Sequence, residues 1–217
     1  MPEQAFNLVV LISGTGSNLQ AIIDQVKAGT LDARICAVIS NRVDAFGLQR
    51  ARQANIPAIT VEHDEFESRE AFDEALMQKI DAHQPDLVVL AGFMRILTDK
   101  FVNHYLGKLI NIHPSLLPKY QGLNTHRRVL EAGDSKHGAS VHYVTPELDS
   151  GPVILQAAVP IFENDTPEQL KERVHEVEHR LYPEAIRRII TGEVSLQGQT
   201  VLYRQRPITP EEMQLAL

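Results

Sequence analysis

The residues best equipped for chemistry are Asn111 and His113, two apart in Asn111-Ile112-His113-Pro114-Ser115-Leu116-Leu117-Pro118, directly after Lys108-Leu109-Ile110. If residues 109–113 are extended, alternation puts Asn111 and His113 on one face and Ile110 and Ile112 on the other. Pro114 biases His113 toward an extended conformation, so the imidazole is placed by a strand end and not by a swinging loop. An amide that donates to a developing oxyanion then stands beside a ring that gives or takes a proton near neutral pH, a pair suited to acyl-type transfer. A second stretch, Tyr143-Val144-Thr145-Pro146-Glu147-Leu148-Asp149-Ser150-Gly151-Pro152, follows an alternating strand candidate at 137–144 and sets Asp149 at the mouth of a turn. Brought against His113, that carboxylate favours and orients the protonated ring. Each residue also has an ordinary reading, because an Asn near a His is common in loops.

Such side chains need a rigid frame, and the apolar runs supply one. Phe6 to Ile12 and Asp86 to Ala91 are nearly continuous apolar stretches, as expected of strands covered on both faces in a parallel sheet. Ser13-Gly14-Thr15-Gly16-Ser17-Asn18 follows the first, and then Leu19, Ile22, Ile23 and Val26 recur at helical spacing. This strand, glycine turn and helix, with Ser17 as the expected cap, can hold a phosphate on backbone amides. The glycines serve equally well as a plain turn. Leu19 stands where a dinucleotide fingerprint has its third glycine, and the run Ile35 to Ile39 ends in Ser40-Asn41-Arg42 without an acidic residue, so nicotinamide nucleotides are poor candidates.

Further along, Asp44 is expected to open a short helix through Phe46, Leu48 and Ala51, and residues 56–61 a third strand. Ser68 caps a helix with Phe72, Ala75, Leu76 and Ile80 inward, and Arg69 sits in its first turn, where the dipole disfavours a cation unless it has an anionic partner. Gly92-Phe93-Met94-Arg95-Ile96-Leu97 is unusually apolar for a loop. Met94, Ile96 and Leu97 either pack under the sheet or wall a flat aromatic ligand beyond the strand ends; a mixture is expected, with side chains in the core and backbone groups facing the ligand. Residues 124–132 read as a helix and 152–162 as a strand that pairs antiparallel with 137–144. His142 has a core or surface role as its default. Thr166-Pro167-Glu168-Gln169 opens a helix with Leu170, Val174, Val177 and Leu181 buried and Glu178 flanking that stripe. Pro183 is expected to kink or interrupt it. Val194 to Leu196 and Thr200 to Tyr203 form a strand pair before a tail without readable chemistry.

The chain has 217 residues, one cysteine and a net charge of −7, enough length for one domain with a full core. Cys36 lies in an apolar run, which predicts a buried thiol and fits a reducing, cytoplasmic setting. No leader and no bilayer-length apolar run is present, so no membrane contact is expected. The negative charge disfavours nucleic acid while leaving room for a local phosphate site. The fold class expected is α/β: an open, mainly parallel twisted sheet with helices on both faces and an antiparallel C-terminal extension.

The stretch 111–118 with Asp149, together with residues 13–19 and Ala91-Gly92-Phe93-Met94-Arg95-Ile96-Leu97, resembles the phosphoribosylglycinamide formyltransferases, a branch of the formyltetrahydrofolate-using formyltransferase family. The resemblance covers almost everything from Phe6 to about Ile190. It implies a Rossmann-like formyltransferase fold in a single catalytic domain, 1–217, with 1–105 mainly binding ribonucleotide phosphate and 106–217 catalysing and closing over folate. It implies Asn111, His113 and Asp149 as catalytic residues. Gly16, Ser17, Asn18, Asn111 and Glu178 would hold the ribonucleotide. Arg69, Met94, Arg95, Ile96, Leu97, Asn111, Val144 and Asp149 would hold 10-formyltetrahydrofolate, the formyl donor; no metal is implied, and a monomer or weak homodimer is expected. A related hydrolase would use the same triad on water and is expected to carry a preceding regulatory domain. A tRNA formyltransferase would add a following nucleic-acid-binding domain; a non-enzymatic nucleotide-binding protein fits the fold alone, and Asn111, His113 and Asp149 argue against it.

Overall fold

Strand and helix alternate through most of the chain in a computed structural model, which describes residues 5–216. The first compact unit ends at Ile110 and the second begins at Asn111. Before that boundary come β1 (Phe6–Ile12), α1 (Ser17–Lys27), β2 (Ala33–Ser40), α2 (Phe46–Gln53), β3 (Ala58–Thr60), α3 (Arg69–Asp81), β4 (Leu87–Leu90) and α4 (Asp99–His104). After β5 (Leu109–His113) come α5 (Thr125–Ala132), β6 (Lys136–Tyr143), β7 (Val153–Pro160), α6 (Pro167–Ile190), β8 (Val194–Gln197), β9 (Thr200–Tyr203) and β10 (Arg206–Pro207).

Seven strands form one sheet in the order β3-β2-β1-β4-β5-β6-β7. β1 runs parallel to β2 and β4, and β2 parallel to β3, whereas β6 and β7 pair antiparallel. The last three strands make a separate antiparallel sheet. The expected fold class is therefore realised. Leu8 to Ile12 have no exposed surface, which is why β1 reads as an unbroken apolar run; each such side chain contributes roughly 1.5–3 kcal/mol of burial before chain entropy is counted. β3 and β7 are the edges. The β7 edge is partly covered by the tail, because Gln156 N donates to Met213 O at 2.6 Å and Leu215 N donates to Gln156 O at 2.7 Å.

Several local expectations change. Ser17 is the first residue of α1 and not its cap; Gly16 occupies the capping position in a left-handed conformation, φ 69°, with no side-chain cap. Asp44 does not open α2, which begins at Phe46; its carboxylate instead takes the Arg42 guanidinium at 2.8 Å. Cys36 is half-buried and not buried, since it sits at the less covered start of β2, yet burial still pushes its thiol upward and keeps it protonated. α6 runs uninterrupted through Pro183. Proline removes one amide donor, but Leu181, Tyr182, Pro183, Ala185 and Ile186 are all buried, and that packed face outweighs one missing bond. The capping box at Thr166 and Gln169 forms as read, with Gln169 N donating to Thr166 Oγ1 at 3.2 Å and Thr166 N to Gln169 Oε1 at 2.9 Å.

Candidate active site

Within the second unit the strand end and the later turn meet. His113 closes β5 with its side chain 8% exposed, and its Nδ1 lies 3.4 Å from Asp149 Oδ2. Its other nitrogen, Nε2, lies 2.9 Å from Tyr120 O. A carbonyl only accepts, so Nε2 carries the proton in that contact. The Asp149 carboxylate faces Nδ1 and accepts a hydrogen bond whenever that nitrogen carries a proton.

Asp149 is held from several directions. Its φ is 49°, a left-handed conformation that Asp tolerates better than most residues. Gly122 N donates to Asp149 Oδ2 at 2.9 Å, and Gln121 Nε2 donates to Asp149 O at 3.1 Å and to Ser150 Oγ at 3.0 Å. The 120–122 segment thus supplies an acceptor to His113 and donors to Asp149 at once. Arg128 secures that segment by donating to Gln121 O at 2.5 Å and Leu123 O at 3.3 Å, with its guanidinium 5.5 Å above the Tyr120 ring.

Asn111 is oriented by His142. The His142 Nδ1 lies 2.9 Å from Tyr143 O and must donate to it, leaving Nε2 to accept from Asn111 Nδ2 at 3.3 Å. Burial of His142 lowers its proton affinity, which agrees with that neutral tautomer. One amide hydrogen of Asn111 is used in this way; the other is available to an oxyanion. His142 is therefore no idle core residue, although alternation on β6 alone left that as its default. Tyr120 and Gly122 gave no signal because they act through backbone atoms; only the glycine in a polar turn hinted at close approach.

In the first unit the glycine turn is built on backbone packing. A Cβ at Gly16 would stand 2.7 Å from the Gly47 Cα, and Gly47 N donates to Gly14 O at 3.0 Å. Arg50 Nε donates to Thr15 O at 2.8 Å. Gly16, Ser17 and Asn18 thus lie together at the start of α1, with Asn18 buried. Ser13 ties this turn to the loop after β4: its N donates to Gly92 O at 3.1 Å, and its Oγ accepts from Met94 N at 2.7 Å and donates to Asn41 Oδ1 at 2.6 Å. Asn41 occupies the position where a ribose-binding carboxylate was missing from the sequence.

The loop's side chains overturn one expectation. Met94 is 72% and Ile96 65% exposed, so they do not enter the core; Phe93 is buried in their place, and strand-like alternation turns its neighbours outward. Arg95 and Leu97 are half-buried, Arg95 with its guanidinium 5.2 Å above Phe72. Arg69 is half-exposed and 4.0 Å from Glu70. In the second unit Val144 is half-buried, and Glu178, at the rim of the buried stripe of α6, is itself buried with His175 Nε2 3.7 Å from its Oε2, so it is not a solvated carboxylate. Among the described residues, no group of three or more His, Cys, Asp or Glu is disposed to hold a metal ion, and no helix is long and apolar enough to cross a membrane.

Comparison with known proteins gives consistent relatives. The formyl transferase family model matches residues 6–186. The chain is 57% identical to the phosphoribosylglycinamide formyltransferase of Escherichia coli strain K12 over 205 residues, 94% of this chain and 97% of that one. The solved phosphoribosylglycinamide formyltransferase of Coxiella burnetii superposes with a TM-score of 0.93 at 51% identity, covering 98% of this chain and all of that one. A formyltetrahydrofolate deformylase from Pseudomonas syringae superposes with a TM-score of 0.86 at 28% identity, covering 92% of this chain and 66% of its own.

Proposed function

Because the chain belongs to the formyl transferase family, we propose that it transfers the formyl group of 10-formyltetrahydrofolate to the amine of 5-phosphoribosylglycinamide, a step in purine synthesis. The observation that carries this reading is the convergence of Asn111, His113 and Asp149 around one strand end. The high identity to phosphoribosylglycinamide formyltransferases selects the amine as acceptor.

In this reading the amine attacks the formyl carbon, a C–N bond forms and the carbonyl oxygen becomes an oxyanion. The free amide hydrogen of Asn111 and an N–H of protonated His113 stabilise it. Since Nε2 of His113 already donates to Tyr120 O, an oxyanion on that side takes over the donor from the carbonyl. Asp149 supports the imidazolium while a water relays the amine proton to the departing folate nitrogen, and the bond from that nitrogen to the formyl carbon breaks.

The remaining assignments rest on the family pattern and on where the side chains lie. Gly16, Ser17 and Asn18 hold the ribonucleotide phosphate at the helix start, Asn111 contacts that substrate too, and Glu178 recognises its glycinamide end. Arg69 takes a folate carboxylate. Met94, Arg95, Ile96 and Leu97, with Asn111, Val144 and Asp149, hold the folate, and the outward Met94 and Ile96 give it an apolar surface. Residues 1–105 then serve mainly the phosphate and 106–217 catalysis and folate closure, in one catalytic domain. The protein works in the cytoplasm, in keeping with its lone cysteine, as a monomer or weak homodimer.

The test is formyl transfer with both substrates against a control containing water alone as acceptor. Product that requires the amine is expected. Formate release at an equal rate without it would make the protein a hydrolase like the similar deformylase, and no turnover of either kind would leave a binding protein.

A further inference from the structure

The tail after β10 makes a connection that the catalytic reading does not use. Thr209 and Glu212 fold it into a turn, with Thr209 N donating to Glu212 Oε2 at 3.0 Å and Met213 N to Thr209 O at 3.1 Å. Arg206 grips the Glu212 carboxylate through both terminal nitrogens, and Arg188 Nη1 of α6 donates to Glu212 O at 2.9 Å. From this anchored turn the tail reaches β7 at Gln156. Gln156 exchanges both backbone groups with Met213 and Leu215, and its Oε1 accepts from Gln214 Nε2 at 3.3 Å.

The same side chain points its amide the other way. Gln156 Nε2 donates to Leu117 O at 2.9 Å and to Ser140 Oγ at 2.8 Å. Ser140, with no exposed surface, accepts from Leu117 N at 3.0 Å and donates to Ser115 O at 2.6 Å. Ser115 N in turn donates to His113 O at 2.9 Å. Every polar group of Gln156 is therefore engaged, its backbone N and O and its Oε1 on the tail and its Nε2 on Leu117 and Ser140 beside the turn that leaves His113. Buried networks of this kind fix geometry, and they do so only while every member is satisfied.

We propose that residues 209–216 are a strap that positions the catalytic turn 113–117 through Gln156, making Gln156 a positioning residue for formyl transfer. This rests on the reading of His113 as catalytic. Without the strap, Gln156 loses its backbone partners, its amide drifts from Leu117 O and Ser140, and the turn behind His113 relaxes. Displacements of about 1 Å at a reacting group can cost up to about a hundredfold in rate, and a relaxed but folded turn accounts for a smaller part of that.

Three proteins test it: the chain ending at Ile208, the full chain with Gln156→Leu, and the two changes together, each with its folded fraction measured by circular dichroism and denaturant titration. The expected result is a fall of about tenfold in kcat per folded molecule for each single change, with KM for both substrates moving less than twofold. The combined change should cost no more than either alone, because both cut the same path. Unchanged kcat per folded molecule, or losses that multiply in the combined protein, overturns the strap. If the shortened chain does not fold, the comparison of Gln156→Leu with Ser140→Ala decides by the same two criteria. A His113→Asn control separates the premises, since a variant that turns over normally removes the reading of His113 and not the strap's contacts.

Discussion

The glycine turn at 13–18 and the strand end at 111–113 both lead out of buried strands, yet they are held by different physics. At the turn the decisive contact is backbone against backbone: Gly16, at φ 69°, lies where a Cβ would meet the Gly47 Cα at 2.7 Å. At the strand end the decisive contacts are side chains reaching across loops, His113 to Asp149 and Asn111 to His142. Damage to the first region should therefore appear as lost fold, and damage to the second as lost rate in a folded protein.

The sharpest way to break that contrast is Gly16→Val. A β-branched residue cannot adopt the left-handed conformation cheaply, and its Cβ has no space, so about 3 kcal/mol or more of stability should disappear and much of the protein should fail to accumulate folded. Gly14→Ala is the matched control. No atom lies within 4 Å of its Cβ position and its φ is not positive, so a change below about 1 kcal/mol is expected. Urea unfolding of both variants decides. A Gly16→Val protein as stable as the parent, impaired only in phosphate binding, would make the turn a pure ligand site.

Asp149→Asn probes the other side. The amide keeps the size of the carboxylate and one acceptor for Gly122 N, but the negative charge facing His113 is gone. A fall of about a hundredfold in turnover at saturating substrates is expected, the range attached to a positioned acid–base or oxyanion contribution. Unfolding should shift little, and binding should change less than rate, because the phosphate is assigned to other residues and Asp149 is only one of several groups assigned to the folate. Near-normal turnover would reduce Asp149 to a loop-shaping residue and leave the catalytic case with Asn111 and His113.

The two regions also differ in what the chain disclosed beforehand. Buried strands declare themselves because both faces are apolar, as in Leu8 to Ile12, and the two-residue spacing of Asn111 and His113 fixes a shared face without any tertiary knowledge. What stayed hidden is carried by atoms that every residue possesses. The Tyr120 carbonyl and the Gly122 amide complete the site, and no side-chain type marks them. Met94 and Ile96 were misplaced because apolar character says nothing about direction once the strand has ended. Glu178 was legible as flanking the buried stripe, but helical spacing gives a face and not how deeply its rim is buried. Pro183 misled in the same way: a local penalty was visible, and the packing of α6 that absorbs it was not.

The smallest expected effect distinguishes the regions by acid. Behind the site, His137 Nε2 lies 3.2 Å from His126 Nδ1, a contact between two neutral rings in which one donates and the other accepts. Burial is the first cause that lowers both, His126 to about 4 with Lys171 and His175 adding repulsion, and His137 to about 4 with His126 adding it. In the unfolded chain each binds its proton near 6.5. Between those values the unfolded state holds more protons than the folded one, so stability is complete above about pH 6.5 and declines as pH falls toward about 4. His126 is half-buried and its share is trimmed by solvent screening, whereas His137 is 1% exposed and carries most of the loss. Asp165 and Glu212, whose arginine partners Arg173 and Arg206 hold them down to about 2, act only at lower pH. Amide hydrogen exchange at pH 5 and 7, normalised to intrinsic rates, should therefore show protection falling in α5 and β6 while β1 and β4 keep theirs. Replacing His137 by Phe should remove most of that pH dependence. Equal loss in all four elements would mean that acid acts on the protein as a whole and not through this pair.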